Sequence, residues 1–267
     1  MSDRHGQPPA RHGAIASSLA AAACLGRGVP LFFSSVPKTP LRVLGVIALD
    51  TVHLLRYSRR LPRRQIRDAA LFLDFAGCIN AAWDRKQLCG AEYRTVRQRL
   101  DQAGLAPCLT DYLGRLQQIE RWRPSIGGDH RRFDEVREYR EAVAGLTLAT
   151  AAAIALNDDD LEEPDMNALW CILMQCQIID DVLDYPEDLS GGLPSFVTAL
   201  ADPRKALALA AEAVRSYAAG GTHAAGQAML PLRVALAVVT VVTRLVVWVA
   251  DPRHRPAQQL IGVKIGS

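Results

Sequence analysis

The chain has 267 residues, 49% hydrophobic and 22% charged, so it can bury a substantial core and belongs to neither the disordered nor the collagen-like classes. Only 6% of residues are aromatic, and the apolar share rests on Ala, Leu and Val, which argues for helices and against an all-β fold. Thirty-one Lys and Arg against 28 Asp and Glu leave a formal charge of +3, too small a surplus to point to nucleic acid.

Residues 1–13 and 251–267 read as loose ends, and residues 14–250 as one domain, because no internal repeat and no Gly, Ser and Pro-rich linker divides them. Ala14–Gly26 follows Arg4 and Arg11 and has the length of a signal-peptide apolar region. It is mostly Ala without a convincing cleavage site, so the pattern predicts an ordinary helix over 14–33. Breaks at Pro37–Pro40, Leu61-Pro62, Ala106-Pro107, Pro124–Gly128, Asn157–Pro164, Gly191–Pro194 and Gly220-Gly221 are spaced at helix lengths. They predict further helices over 40–59, 62–100 with a break near Gly90, 106–122, 130–156, 164–185, 195–218 and 225–250. Apolar residues recur at three and four within them, as in Leu71, Phe75, Cys78, Ile79 and Ala82. The expected architecture is therefore an all-α, single-domain helical bundle whose centre can hold a cavity. In Met229–Ala250, Arg233 and Arg244 leave only ten uninterrupted apolar or neutral residues, which predicts a buried or interfacial helix in place of a membrane span. The six cysteines form no CxxC pair and read as small core side chains in a reducing compartment.

The strongest chemical signal is Gln177-Ile-Ile-Asp180-Asp181-Val-Leu-Asp184-Tyr-Pro-Glu187-Asp188. On a helix Gln177, Asp180, Asp181, Asp184 and Asp188 share an arc of roughly 100°. Stacked carboxylates repel one another, and negative charge near a helix C-terminus opposes the macrodipole. A hard divalent cation is the expected compensation. Mg²⁺ takes one or two carboxylates and fills its shell with water and phosphate oxygens. Pro186 is expected to kink or end the helix before Asp188. A second acidic site is Asn80 with Asp84, one turn apart. Between the two, Tyr139-Arg140-Glu141-Ala142-Val143-Ala144-Gly145 places small residues in mid-helix, where Gly serves close packing, a kink or ligand approach. Arginines cluster at residues 56–67 and 121–140. Arg137 and Arg140, one or two turns before Gly145, are the candidates to bind diphosphate oxygens bidentately.

Tyr139-x-x-x-Val143-Ala144-Gly145 with Gln177-x-x-Asp180-x-x-x-Asp184-x-x-Glu187-Asp188 resembles the squalene/phytoene synthase family, over about residues 70 to 200. Asn80–Arg85 and Asp184–Gly192 are also similar to the DNxxD-Arg and DxxED-Gly-Gly motifs of bacterial large-terpene synthases. Both groups have the all-α class I isoprenoid synthase fold. The chain departs from the DDxxD pattern at Asn80 and Ala81, and Leu-Ser-Gly-Gly follows Asp188 where an Arg-rich segment with Tyr-Leu-Pro stands in the squalene/phytoene pattern.

The resemblance implies a Mg²⁺-dependent terpene synthase that ionises a linear prenyl diphosphate. In it, Asp180, Asp181, Asp184 and Asp188 on one side and Asn80 with Asp84 on the other would hold metal. Arg140, Arg137, Gln177 and Gly145 would border the substrate, and Tyr139 and Arg140 would stand with Asp84, Asp180 and Asp184 at the reacting end. The alternatives are a squalene/phytoene-type enzyme joining two prenyl diphosphates and a non-catalytic partner subunit with a degenerate first motif. A cytoplasmic protein with peripheral membrane contact, and pairing of two copies, are compatible with a long oily substrate.

Overall fold

The computed structural model describes residues 40–85, 90–156, 163–225 and 228–252. Among these residues the chain is all-α. Nine helices follow one another: α1 (Pro40–Tyr57), α2 (Arg63–Arg85), α3 (Gly90–Gln102), α4 (Ala106–Glu120), α5 (His130–Leu156), α6 (Glu163–Leu183), α7 (Tyr185–Gly191), α8 (Pro203–Ala225) and α9 (Leu230–Ala250). A single parallel bridge joins Gly128 and Leu200. The expected helix over 14–33 lies outside the described residues.

Two expected boundaries change. The segment 195–202 is not helical: Ser195 and Thr198 fold into a turn in which the Thr198 hydroxyl accepts from the Ser195 amide (2.8 Å). α8 starts only at Pro203, where Asp202 caps it by accepting the Arg204 amide at 3.0 Å. Asp-Pro is a capping residue followed by the one residue suited to the first helical position, and it outweighs the apolar run before it. The expected helix 164–185 stops at Leu183, and Pro186 opens the short α7.

The chain divides into two compact units, Met1–Pro107 with Ala149–Leu161 and Cys108–Leu148 with Glu162–Ser267. This partition is finer than the single domain read from the sequence. No linker marks it, because one boundary falls inside α5 itself.

In the first unit α1, α2 and α3 pack in sequence, burying Leu49 and Val52, Phe72 and Phe75, and Val96 and Leu100. The turn after α1 is held by two buried polar side chains one helical turn apart. Asp50 accepts the Leu61 amide at 2.9 Å. His53 donates from Nδ1 to the Arg59 carbonyl at 2.7 Å, since a carbonyl can only accept.

In the second unit α6, α8 and α9 pack against one another, with Met174 and Ile178, Val214 and Tyr217, and Leu232 and Leu236 buried. Asp165, fully buried in the first turn of α6, accepts the Met229 amide at 3.0 Å and so fixes where α9 begins. Losing that acceptor strands a buried donor, so Asp165→Ala is expected to cost about 2 kcal/mol. Urea unfolding should show a lower midpoint at unchanged slope.

Candidate functional site

The acid-rich end of α6 is built around Pro186. Proline has no amide hydrogen and cannot extend the helix, so Asp184 leaves helical geometry (φ −94°, ψ 12°) and becomes the N-cap of α7. The backbone bonding runs on across the break, from the Asp184 amide to the Asp180 carbonyl (2.8 Å) and from the Asp188 amide to the Asp184 carbonyl (2.9 Å). Side chains seven residues apart therefore keep a common side, as do those four apart. The single acidic face expected from the sequence resolves into two. Asp181 and Asp188 share surroundings with Arg140, while Asp180 and Asp184 are exposed to solvent.

Asp181 is 1% exposed and both its oxygens are engaged. The Arg140 guanidinium donates from Nη2 to Oδ1, and the Phe196 amide donates to Oδ2 at 2.7 Å. Burial pushes the Asp181 carboxyl up, and Arg140 and the Phe196 amide pull against it. Asp181, expected among the metal ligands, is thus part of the scaffold that carries Arg140. Burial likewise works against the Arg140 charge, but Asp181 and then Asp188 outweigh it and hold the guanidinium protonated. Arg140 Nε and Asp188 Oδ2 are buried without hydrogen-bond partners. Asp188 is pushed up to about 6, first by burial and then by the Asp181 charge, against the Ser195 hydroxyl and Arg140. Asp180 also lies above its ordinary range through partial burial and the nearby Asp184, with Arg140 opposing.

The segment reaching Phe196 is directed there by Gly192, which ends α7 in the left-handed region at φ 66°. The Leu193 amide then closes back onto the Asp188 carbonyl at 2.8 Å. Beyond the turn, the Gly127 and Gly128 amides donate to the Thr198 and Ala199 carbonyls at 3.0 and 2.9 Å. Phe133 of α5 meets the Phe196 ring at 5.8 Å.

Other residues singled out by the sequence are placed differently. Tyr139 is buried and donates its hydroxyl to Glu120, which with burial raises its pKa. The Trp122 ring meets it edge-on at 5.9 Å, and Arg123 lies over its face. Arg137 donates from Nε to Glu141 at 2.8 Å and lies 5.1 Å from the centre of the Tyr217 ring. The Tyr217 hydroxyl donates to the same Glu141 oxygen at 2.7 Å, and Trp170 of α6 packs edge-on against Tyr217. Both residues therefore link helices: Tyr139 joins α5 to α4, and Arg137 joins it to α8. Arg131 and Arg132 pair with Glu135 at 3.3 and 2.6 Å.

Gly145 is half-buried, and a Cβ there would come no nearer than 3.9 Å to Trp170 Nε1, so close helix packing does not require the glycine. Gln177 is half-buried on α6. Asn80 is exposed on α2 in the first unit, and the side chain of Asp84 lies outside the described residues.

Glu120, Glu141, Tyr217 and the Phe196 amide were not foreseen. Glu141 is announced only by its spacing of four from Arg137. A backbone amide has no sequence signature at all. Compared with family models, with curated proteins and with solved structures, the chain has no match in any of the three.

Two outcomes follow from this geometry. Arg140→Met leaves the Asp181 carboxylate buried and unpaired and is expected to cost about 3–5 kcal/mol in chemical unfolding, whereas Arg140→Met with Asp181→Leu recovers most of the loss. Asp188 binds its proton more tightly folded (about 6) than at the ordinary 3.8, so the folded state holds more protons between these values. Stability contributed by the protonated form is complete at the acid end of that window and lost as pH rises through about 6. Thermal melts across the window should show this fall, shallower in Asp188→Asn.

Proposed function

We propose that this chain is a Mg²⁺-dependent class I terpene synthase that ionises a linear prenyl diphosphate and converts it to a terpene. The observation that carries the reading is the Arg140 cation, its Nε buried without an acceptor and its charge felt by both Asp180 and Asp188. A buried donor left without a partner is costly, and a phosphate oxygen is the acceptor best matched to a guanidinium.

The carboxylates suit the metal that the resemblance implies. Asp180 and Asp184 lie one turn apart, both exposed, and Asp184 disfavours the Asp180 charge. Among the described residues no three His, Cys, Asp or Glu side chains converge on a common point. Mg²⁺ does not ask for that, since one or two carboxylates suffice when water and phosphate oxygens complete the shell. Asp180 and Asp184 would be the donors on the exposed side, and Asp188 has one buried oxygen without a hydrogen-bond partner. Held by Asp180 and Asp184, such an ion would supply positive charge to a diphosphate leaving group.

The chain's own residues do the rest. Arg140 donates Nε to the diphosphate while Asp181 grips Nη2, so the guanidinium is oriented before substrate arrives. The Phe196 amide holds Asp181 in turn. Gln177, half-buried one turn before Asp181, is the candidate to hydrogen-bond the substrate's polar end. Tyr139 and Arg137 keep α5 in register with its neighbours through Glu120 and Glu141.

A second reading, a non-catalytic partner subunit, is favoured by one observation: Asn80, standing where the resemblance implies an acid, is exposed with no carboxylate of its own.

One assay separates the two. The protein is incubated with geranyl, farnesyl, geranylgeranyl and longer prenyl diphosphates, with Mg²⁺ or EDTA, and diphosphate and organic products are followed by mass spectrometry. The enzyme reading expects Mg²⁺-dependent release that Asp184→Asn lowers about 10²-fold or more, with a product skeleton of one substrate's carbon count. A doubled skeleton assigns condensation of two prenyl diphosphates, and no release from any substrate by the folded protein assigns the partner subunit.

A further inference from the structure

We propose that α9 docks this protein onto an anionic lipid bilayer surface, lying along it with one face in the interface. The helix is apolar on both sides, but the two sides differ in an unexpected sense. Leu232, Leu236, Thr240, Thr243 and Val247 are buried, and the helix packs on α6 and α8. Leu230, Val234, Val238, Val241, Leu245 and Trp248 face outward, between 38% and 66% exposed. They recur at three and four, which makes one continuous stripe about 27 Å long at the rise of an α-helix. The amphipathicity is inverted. Both threonines are on the protein side, where Thr243 bonds its hydroxyl back to the Val239 carbonyl at 2.7 Å and Thr240 Oγ1 is buried without a partner. A helix whose free face meets water places its hydroxyls there and its valines inside. The reverse arrangement suits an apolar medium outside.

Charge selects lipid as that medium. The 21 residues of α9 contain no acid and two arginines, Arg233 and Arg244, both exposed. Eleven residues apart, they project at nearly the same angle, along one edge of the stripe. Guanidinium groups on flexible stems at the border of an apolar face reach lipid phosphates while the stripe enters the acyl boundary. Trp248 near the C-terminal end has the amphipathic ring favoured at that depth. A second copy pairing through its own α9 would bring arginines to a helix that has no carboxylate to receive them. The inner face packs on α6 and α8, which leaves the outer half of the helix to meet lipid.

The test is flotation of the full chain with phosphatidylcholine vesicles, with and without phosphatidylserine. The wild-type protein should float with the anionic vesicles. Val238→Gln/Val241→Gln/Leu245→Gln should lower its partition coefficient about tenfold or more. Arg233→Gln/Arg244→Gln should lower binding to anionic vesicles about fivefold per arginine and leave phosphatidylcholine unaffected. All five side chains point outward, so melting temperatures should not fall. Should the triple variant fail to fold, the arginine pair still reads the charge dependence. A wild-type chain that stays at the bottom of both gradients overturns the proposal. So does a triple variant that floats like wild type, or a non-floating dimer that the triple substitution converts to monomer, which would assign the face to a second copy.

Discussion

The buried pair of Arg140 and Asp181 is the constraint around which the second unit is arranged. A carboxylate at 1% exposure cannot remain ionised on one partner alone, because desolvation outweighs a single contact. Its second oxygen must be met, and the Phe196 amide meets it. That amide arrives only because the chain turns sharply after α7, at Gly192, and the Ser195–Thr198 turn presents it inward. The demand of one buried charge thus reaches from α5 through α6 to a loop, and from the loop to Gly127 and Gly128, whose amides secure it before α5 begins.

The same pair explains why the acids divide. Four aspartates on one helical face would repel one another together, and a cation buried behind two of them changes the balance. Asp181 gains a fixed partner at the cost of burial and Asp188 feels the charge of the same cation, while Asp180 and Asp184 stay in solvent, where repulsion is screened. Pro186 assists because it releases the end of α6 without reversing the chain. An uninterrupted helix would give the same spacing, but no break at which the segment 192–200 could fold back over Asp181.

What the sequence conveys and what it hides have physical reasons. Helix positions follow from apolar periodicity and from Pro and Gly breaks, and α4, α5 and α9 lie close to where those signals put them. The start of α8 was legible in Asp202-Pro203 but masked by the apolar run Phe196–Leu200, whose burial serves a turn. The acid cluster was conspicuous because charge next to a buried helix is rare. Its division was not, since angular position on an ideal helix cannot say which side a distant arginine approaches. Tyr139 and Arg137 stood out by residue type and by nearness to Gly145, yet their roles depend on Glu120, Glu141 and Tyr217. These lie on the same or other helices and carry no mark of their partnership. The inverted face of α9 was equally hidden, because a run of valines looks alike from either side until its neighbours are placed.

α6 connects these features. It is the helix on which α8 and α9 pack, and its buried residues run from Asp165 to Asp181. The apolar middle supplies the packing energy that lets a run of like charges persist at one end. It also holds the inner face of α9, so the hydroxyls of Thr240 and Thr243 are turned inward by the same contact that leaves the valines outside. A helix in that position whose free face met water would gain by exchanging the two faces. The arrangement is therefore better understood as a compromise in which the inner face tolerates hydroxyls so that the stripe from Leu230 to Trp248 can remain free of them, with Arg233 and Arg244 at its edge.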